Sequence, residues 1–128
     1  MTQYADIVEI VAPDKAVAGD RVDITVRIKN LYSGAIGIMV GGALEYGITP
    51  WPGIEFLTNW DNVPAGDTKS FDGYFYMPDS DVRIHAYSYY YAGGTWHFDD
   101  EAIKTVDLAA LPESEFGSIE ILSYERRA

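Results

Sequence analysis

Two histidines are the only imidazole groups in this sequence, which contains no cysteine. His85 and His97 could share a metal ion only if a ring nitrogen of each came within about 2 Å of it. The Gly93-Gly94 pair between them predicts a tight hairpin, in which His85 lies opposite a residue near Ala102. His97 is then about five residues away along the partner strand, or roughly 16 Å at ~3.3 Å per residue. We therefore expect no metal site made by both histidines.

Acidic side chains offer a second possible metal site. Asp79 and Asp81 share one loop, and Asp99 and Asp100 begin an acidic run that ends at Glu101. Calcium takes about six to eight oxygen ligands, so a site would require the two acidic segments to converge. They flank opposite ends of the same predicted strand, which argues against convergence. We interpret them as solvated turn residues, keep the four aspartates as weak metal candidates, and expect no metal and no cofactor.

The motifs of hydrolases and phosphate-binding enzymes are missing from the sequence. The spacing of Asp and Glu indicates no pair of carboxylates facing each other across a cleft, as glycoside hydrolysis requires. No serine lies in a strained elbow motif, and no Gly-rich loop precedes a helix to hold phosphate. We therefore predict no catalytic residues and no enzymatic activity.

Aromatic side chains are abundant, with 10 Tyr, 5 Phe and 3 Trp. Tyr74 and Tyr76 share the outward positions of one predicted strand, and Tyr87 and Tyr89 share those of the next. In an immunoglobulin-type sandwich these two strands belong to opposite sheets. The four tyrosines are therefore predicted to lie on both outer faces of the protein.

Two interpretations of these rings remain open. Some can cap the open edges of a sandwich, or they can form contact surfaces, because exposed clustered aromatic residues mark interaction sites. Trp51 and Trp60 lie in or beside predicted loops, where there is less reason to assign a tryptophan to the hydrophobic core. Rings on two faces favour a subunit with neighbours on both sides, whereas sugar-binding modules generally use one platform. A one-residue slip at the Gly93-Gly94 turn would exchange the faces of the side chains at 96–98.

The composition indicates one globular domain. A chain of 128 residues with 48% hydrophobic and 23% charged residues has the size and balance of a single core. The net charge of -11 argues against nucleic acid, whose phosphates it would repel. No stretch approaches the roughly 18 apolar residues of a membrane span, and the N-terminus lacks the features of a signal peptide. We expect no membrane insertion and no signal peptide in this chain.

The positioning elements are predicted to be β-strands. Three segments alternate apolar and polar residues with a period of two, namely 21–29, 68–77 and 82–90. Weaker strands are predicted at 5–11, 35–46, 54–58 and 102–108. The predicted core residues are Val22, Ile24, Val26, Ile28, Phe71, Phe75, Ile84 and Ala86. Turns rich in Gly, Pro and Asp separate the strands, and no segment shows a helical period. The pattern predicts an all-β, immunoglobulin-like antiparallel β-sandwich of about seven strands.

Two stretches carry a family resemblance: APDKAVAGDRVDITVRIKN, at 12–30, and VPAGDTKSFDGYFYMP, at 63–78. Each places an Ala-Gly-Asp turn before an alternating strand. They resemble bacterial and archaeal Ig-like modules of the cell-adhesion-related (CARDB) type, and similar sandwiches recur in phage structural proteins. The resemblance covers residues 5–108. It implies a binding or structural module without catalytic residues.

The tail after the last predicted strand forms a separate unit. We place the sandwich at 1–110 and a C-terminal extension at 111–128, where Ile119 and Ile121 alternate with Glu120 to give a short strand with one apolar face. Such a strand exposed alone would risk aggregation. It must pair with its own sandwich, begin a further domain, or add to the sheet of a neighbouring subunit.

These observations predict a non-enzymatic structural or adhesion and assembly subunit of a virion, filament or cell surface. Its expected partners are copies of itself or other structural proteins, and glycans are a further possible partner. The alternative is a carbohydrate-binding module that stacks exposed Trp and Tyr rings on sugars. The interface candidates are Tyr74, Tyr76, Tyr87, Tyr89, Trp51, Trp60, Ile119, Ile121 and Tyr124.

Overall fold

A computed structural model describes residues 3–110, and their secondary structure consists of strands and turns. The strands are β1 (Ala5–Val11), β2 (Lys15–Ala16), β3 (Arg21–Asn30), β4 (Ile36–Glu45), β5 (Glu55–Phe56), β6 (Trp60–Val63), β7 (Thr68–Tyr76), β8 (Val82–Ala92) and β9 (Thr95–Leu108). Within this range no helix is long and apolar enough to cross a membrane. The predicted C-terminal strand, with Ile119, Ile121 and Tyr124, lies outside the described residues.

The strands form two sheets. The order is β1-β3-β7-β5 in the four-stranded sheet and β2-β9-β8-β4-β6 in the five-stranded sheet. Every pairing is antiparallel except that of β2 with β9. The N-terminal segment therefore crosses between the sheets, because β1 pairs in one sheet and β2 in the other. The predicted all-β, Ig-like sandwich is confirmed.

The hydrophobic core lies where the inward faces of the two sheets meet. All eight residues predicted to form it are at most 5% exposed. They come from β3, β7 and β8, whose alternation of apolar and polar residues is regular. Ile38, Val40 and Leu44 of β4 complete the layer from the five-stranded sheet. One continuous core therefore supports both sheets.

Some elements differ from the prediction. Strand β9 begins at Thr95, seven residues before the predicted start, so Asp99 and Asp100 lie in a strand and not in a solvated turn. The short strand β6 forms at Trp60–Val63, where a loop was expected. Neither the early start of β9 nor strand β6 could be recognised from the alternation of apolar and polar residues. An extra residue breaks the alternation of β9, and β6 is a four-residue edge strand with few buried positions.

The turn between β8 and β9 is the expected tight hairpin. Gly93 and Gly94 have φ angles of 61° and 82°, and the flanking residues Ala92 and Thr95 are paired. Two consecutive residues with positive φ are the requirement of a type I′ turn, which suits glycine. The turn therefore fixes the pairing of the side chains at 96–98 without a slip.

Strand β9 contains one residue more than β8 over the same length. Tyr89 pairs with Phe98, but Ser88 pairs with Asp100, which leaves Asp99 as a bulge. Because side chains alternate between faces, the bulge reverses which later residues of β9 point outward. Glu101, which pairs with Tyr87, is thereby placed on the outer face of the five-stranded sheet.

The bulge also attaches β1 to the five-stranded sheet. The Asp99 carboxylate accepts hydrogen bonds from the backbone nitrogens of Gln3, Tyr4 and Ala5 at 2.7, 2.8 and 2.7 Å. The Asp100 carboxylate accepts a further bond from the nitrogen of Ile7 at 3.0 Å. These side chains satisfy backbone donors that have no strand partner on that edge. Asp99 and Asp100 therefore have a structural role, because they hold the start of β1 against β9.

Replacing Ile24 by Ala tests the core assignment. Ile24 is 3% exposed, so we expect a loss of about 2–5 kcal/mol in the free energy of unfolding, measured with urea. The matched control is Ile103→Ala in β9, because Ile103 is 47% exposed and its truncation leaves no cavity. A loss below about 1 kcal/mol at Ile24, or equal losses at both sites, would contradict the assignment.

Candidate functional site

The outer face of the five-stranded sheet carries a cluster of aromatic rings. They come from β6, β8 and β9, and from the loop that follows β4. We call this surface the aromatic face, and its rings belong to Trp51, Trp60, Tyr87, Tyr89, Tyr91, Trp96 and Phe98. The strand register explains the cluster, because outward positions on neighbouring strands lie side by side.

Glycines in β4 make room for these rings. A Cβ added to Gly37 would lie 3.2 Å from Tyr91 Cβ and 3.3 Å from the Trp96 ring. A Cβ added to Gly41 would lie 3.5 Å from the Tyr89 ring. The rings from β8 and β9 therefore lean over the bare backbone of β4. A larger residue at Gly37 would displace them.

The rings hold each other in edge-to-face pairs. Trp96 packs against Trp60, with ring centroids 6.1 Å apart, and against Tyr91 at 5.1 Å. Phe98 packs in the same way against Tyr89 at 5.8 Å. Such pairs contribute about 0.5–1.5 kcal/mol each beyond burial. Trp60, Tyr91 and Phe98 nevertheless remain 54%, 47% and 58% exposed. The aromatic face is thus ordered and open to solvent.

Charged residues are missing from the half of the aromatic face nearest the hairpin turn. Its outward positions are Trp96, Tyr91, Gly37 and Asn62 in one row, and Phe98, Tyr89, Met39 and Trp60 in the next. The whole chain contains 20 acidic and nine basic residues, so an uncharged patch of this size is unusual. Enrichment in aromatic residues and Met without charge is typical of the centre of an interface.

A groove of about 530 Å³ opens in the same half of the face. It is lined by Gly37, Trp60, Asn62, Tyr91 and Trp96. Binding pockets for small ligands are typically ~300–1,000 Å³ in volume, so the groove is large enough for one. Its one amide side chain, on Asn62, is exposed. The groove can therefore combine apolar contact with a neutral hydrogen-bonding group.

His85 occupies the other half of the face. Its Nδ1 lies 2.8 Å from Glu101 Oε2, and its Nε2 lies 2.8 Å from Glu45 Oε1. The residue is 5% exposed, because its ring stacks on Trp51 with centroids 4.5 Å apart and lies parallel to Tyr87 at 6.5 Å. The imidazole therefore links β4, β8 and β9 on the outside of the sheet.

This environment changes the acid–base behaviour of His85. Burial by itself lowers the pKa of the imidazole, but the hydrogen bonds to Glu45 and Glu101 and the charges of these carboxylates outweigh it, so the pKa is raised above 6.5. Arg83 lies 3.8 Å from Glu45 and adds a second positive charge. With His85 protonated, this half of the face holds two positive and two negative side chains.

The tyrosines of β7 occupy the opposite face of the protein. Tyr74 and Tyr76 lie on the outside of the four-stranded sheet, as the alternation predicted, and Tyr76 is 62% exposed. Arg21 lies 4.0 Å above the Tyr74 ring and is paired with Asp23. Aromatic rings therefore lie on both outer faces, but this second group is small and bordered by charge.

Other rings cap one end of the sandwich. Tyr4 contacts Tyr32 and Tyr90 with centroid distances of 5.2 and 4.7 Å, and Tyr90 stacks on His97 at 5.1 Å. His97 pairs with Tyr90, whereas His85 pairs with Ile103, so the histidines lie five register positions apart. The expected separation is confirmed. The edge-capping interpretation therefore applies to these rings, and the contact-surface interpretation stays a prediction for the aromatic face.

The acidic candidates for metal binding also remain apart. The Asp81 carboxylate accepts a hydrogen bond from the nitrogen of Leu108 at 2.7 Å, at the opposite end of β8 from Asp99. Between residues 3 and 110, no group of three or more His, Asp and Glu side chains could hold a metal ion. At His85 the two carboxylates lie on opposite sides of the ring, which prevents their convergence on one ion.

Trp96, Phe98 and Tyr91 were not among the residues predicted to contact partners. One available signal is the outward run of small residues in β4, with Gly37 and Gly41 beside strands rich in tyrosine. Glycine inside a strand often marks a close approach of other groups. The contacts of His85 had no such signal, because Glu45 lies 40 residues away in the sequence.

Comparison with known proteins shows the fold and no family. No protein-family model and no curated protein matches the sequence. The solved structures that are similar include a CARDB domain from Pyrococcus furiosus in complex with di-metal ions. It is 15% identical over 85% of this chain and 92% of that chain, with a TM-score of 0.58. The resemblance to a CARDB-type Ig-like module is thereby confirmed at the level of the fold.

In two other similar structures, the match covers only part of a longer chain. Alpha-2-macroglobulin from Escherichia coli, from domain MG7 to the C-terminus, is 19% identical, with 85% of this chain and 17% of that chain covered and a TM-score of 0.61. The DNA glycosylase AlkC from Pseudomonas fluorescens is 12% identical, with coverages of 84% and 31% and a TM-score of 0.60. The chain thus spans less than a third of either protein. The similar structures are mostly Ig-like domains and not whole enzymes.

The raised pKa of His85 predicts a pH-dependent stability. The folded protein binds a proton at His85 more tightly than the unfolded chain, so this stabilisation is complete below pH 6.5 and is lost as the pH rises through the folded pKa. The urea concentration at which half of the protein is unfolded should therefore decrease as the pH is raised from 6 to 9. His97→Gln should keep this decrease and His85→Gln should remove it. A midpoint that stays constant or rises in the unmodified protein would contradict the assignment.

Proposed function

We propose that this chain is a non-enzymatic structural or adhesion subunit of a virion, filament or cell surface, and that copies of it contact each other through the aromatic face. The observation that carries the proposal is the uncharged half of this face. There, exposed Trp, Tyr and Phe rings meet without a charged residue, in a protein of net charge -11. Burying such a surface removes apolar area from water without stripping water from a charge.

The distribution of charge favours a second copy of the chain as the occupant. Two molecules of net charge -11 repel each other, and the repulsion is smallest where they present uncharged or balanced surfaces. The aromatic face is uncharged in one half and balanced around His85 in the other. The outer face of the four-stranded sheet instead carries the ion pairs Arg21–Asp23 and Arg27–Glu9, together with Asp72, so a contact there would have to strip water from charged groups. The same net charge argues against nucleic acid as a partner.

The size of the face is adequate for a specific contact. Strands β4, β8 and β9 lie about 4.8 Å apart with about nine residues each at ~3.3 Å, and together with the four residues of β6 they give an area on the order of 500 Å². A standard interface buries about 800 Å² on each partner. The aromatic face can therefore supply most of a stable interface, with residues at its margin supplying the rest.

Carbohydrate binding is the second candidate, because most of the exposed rings share one face and the groove holds the amide of Asn62 beside two tryptophans. The ring geometry argues for a protein partner. Trp60 and Trp96 are inclined at 64° to each other, and Tyr91 and Trp96 at 68°. The rings therefore form an uneven surface and not the flat platform on which successive sugar rings stack.

The proposal predicts self-association that depends on the aromatic face. In sedimentation velocity at rising concentration, the protein should form dimers or larger species, and the double variant Trp60→Ala, Trp96→Ala should remain monomeric. Tyr76→Ala is the matched control, because Tyr76 is 62% exposed on the opposite sheet, and it should associate normally. A monomeric parent protein, or an equal effect of Tyr76→Ala, would contradict the proposal.

A glycan array distinguishes the two candidates. We expect no binding to neutral or acidic glycans at micromolar protein concentration. Binding that is lost in Trp60→Ala and kept in Tyr76→Ala would establish the carbohydrate-binding alternative.

The predicted strand at 118–124 is a second proposed contact between subunits. A chain ending at Ala110 that folds but associates less would support this role, and one that unfolds would assign the strand to its own sandwich.

A further inference from the structure

The first part of the loop between β4 and β5, residues 47–51, is held in place by one ring contact. The C-terminal part of the loop is fixed by backbone hydrogen bonds, from Leu44 N to Pro52 O at 2.9 Å and from Ile54 N to Gly42 O at 3.0 Å. For residues 47–51 the structure shows, within its described part, a single ring contact or hydrogen bond, the stacking of Trp51 on His85. The position of this part of the loop therefore depends on the state of His85.

The hydrogen bonds of His85 require a protonated ring. Both neighbours, Glu45 and Glu101, are carboxylates and accept hydrogen bonds. An imidazolium donates from both nitrogens, whereas a neutral imidazole donates from one and presents a lone pair at the other. After deprotonation, one carboxylate would face that lone pair at 2.8 Å, which is repulsive. The ring must then turn, or the carboxylate must move away.

The stacking of Trp51 is also strongest on a protonated ring. The ring centroids are 4.5 Å apart with an angle of 27° between the planes. A cation within about 6 Å of an indole face is attracted by its π-electrons, and the attraction rises when the pair is shielded from water. Loss of the proton removes this attraction at the same time as it disrupts the hydrogen bonds that hold the imidazole in place.

We propose that Trp51 is a proton-controlled cover at one end of the aromatic face, closed over protonated His85 and released from neutral His85. The charged and titratable groups that face His85 are Glu45 from β4, Glu101 from β9, and Arg83 and Tyr87 from β8. The loop contributes no charge here. Release would add the indole to the exposed apolar surface and uncover the charged half of the face. The proposal concerns the single chain and does not depend on any partner.

The experiment measures the accessibility of Trp51 as a function of pH. In a Trp60→Phe, Trp96→Phe background, Trp51 is the only tryptophan, so acrylamide quenching of its fluorescence reports on this side chain alone. Between pH 5.5 and pH 9 we expect the quenching constant to rise about twofold, because the side chain is 39% exposed in the closed position. The midpoint should coincide with the titration of His85 followed by NMR.

Three further variants in the same background separate the proposed cause from others. His85→Gln cannot be protonated and should show high, pH-independent quenching, whereas His97→Gln should keep the transition. Glu101→Gln keeps a hydrogen-bond acceptor but removes a negative charge, so the midpoint of the quenching transition should move to lower pH. This variant provides the test if His85→Gln fails to fold. Constant quenching of Trp51 while the His85 signals titrate, or a transition that survives His85→Gln or does not move in Glu101→Gln, would overturn the proposal.

Discussion

The β-bulge at Asp99 is the constraint on which much of this structure depends. If the same residues of β9 paired with β8 without a bulge, the alternation would continue from Phe98 and would turn Asp100 outward and Glu101 inward. With it, the carboxylates of Asp99 and Asp100 hold the start of β1, and Glu101 reaches His85. One inserted residue thus joins the N-terminal strand to the second sheet and sets the polar half of the aromatic face.

The aromatic face depends on a second local condition, the bare backbone of β4. A Cβ at Gly37 would press on Tyr91 and Trp96 at 3.2 and 3.3 Å, whereas one at Gly41 would lie in ordinary contact with the Tyr89 ring at 3.5 Å. Glycine weakens a strand interior, because it loses more backbone entropy on folding and offers no side chain to pack. Here the rings of β8 and β9 cover the gap, so the cost is offset by aromatic packing on a surface that remains exposed.

Several elements were predictable from the sequence, because regular alternation directly reports burial. Strands β3, β7 and β8 have one apolar face each, and their predicted core residues are buried. The start of β9 was not predictable, because the bulge interrupts its alternation. The same limit applied to the site. The tyrosines could be assigned to faces from their own strands, but the environment of His85 is built from β4, β8 and β9 and from Trp51, which only the folded register brings together.

The aromatic face is the proposed surface of contact between copies of this chain. The most direct test is a dilution series followed by backbone amide NMR, since it needs no substitution and locates the contact. We predict concentration-dependent shifts at outward positions of β4, β6, β8 and β9, strongest around Trp60 and Trp96, and none at Tyr76. Spectra that are independent of concentration, or shifts centred on the four-stranded sheet, would contradict the account.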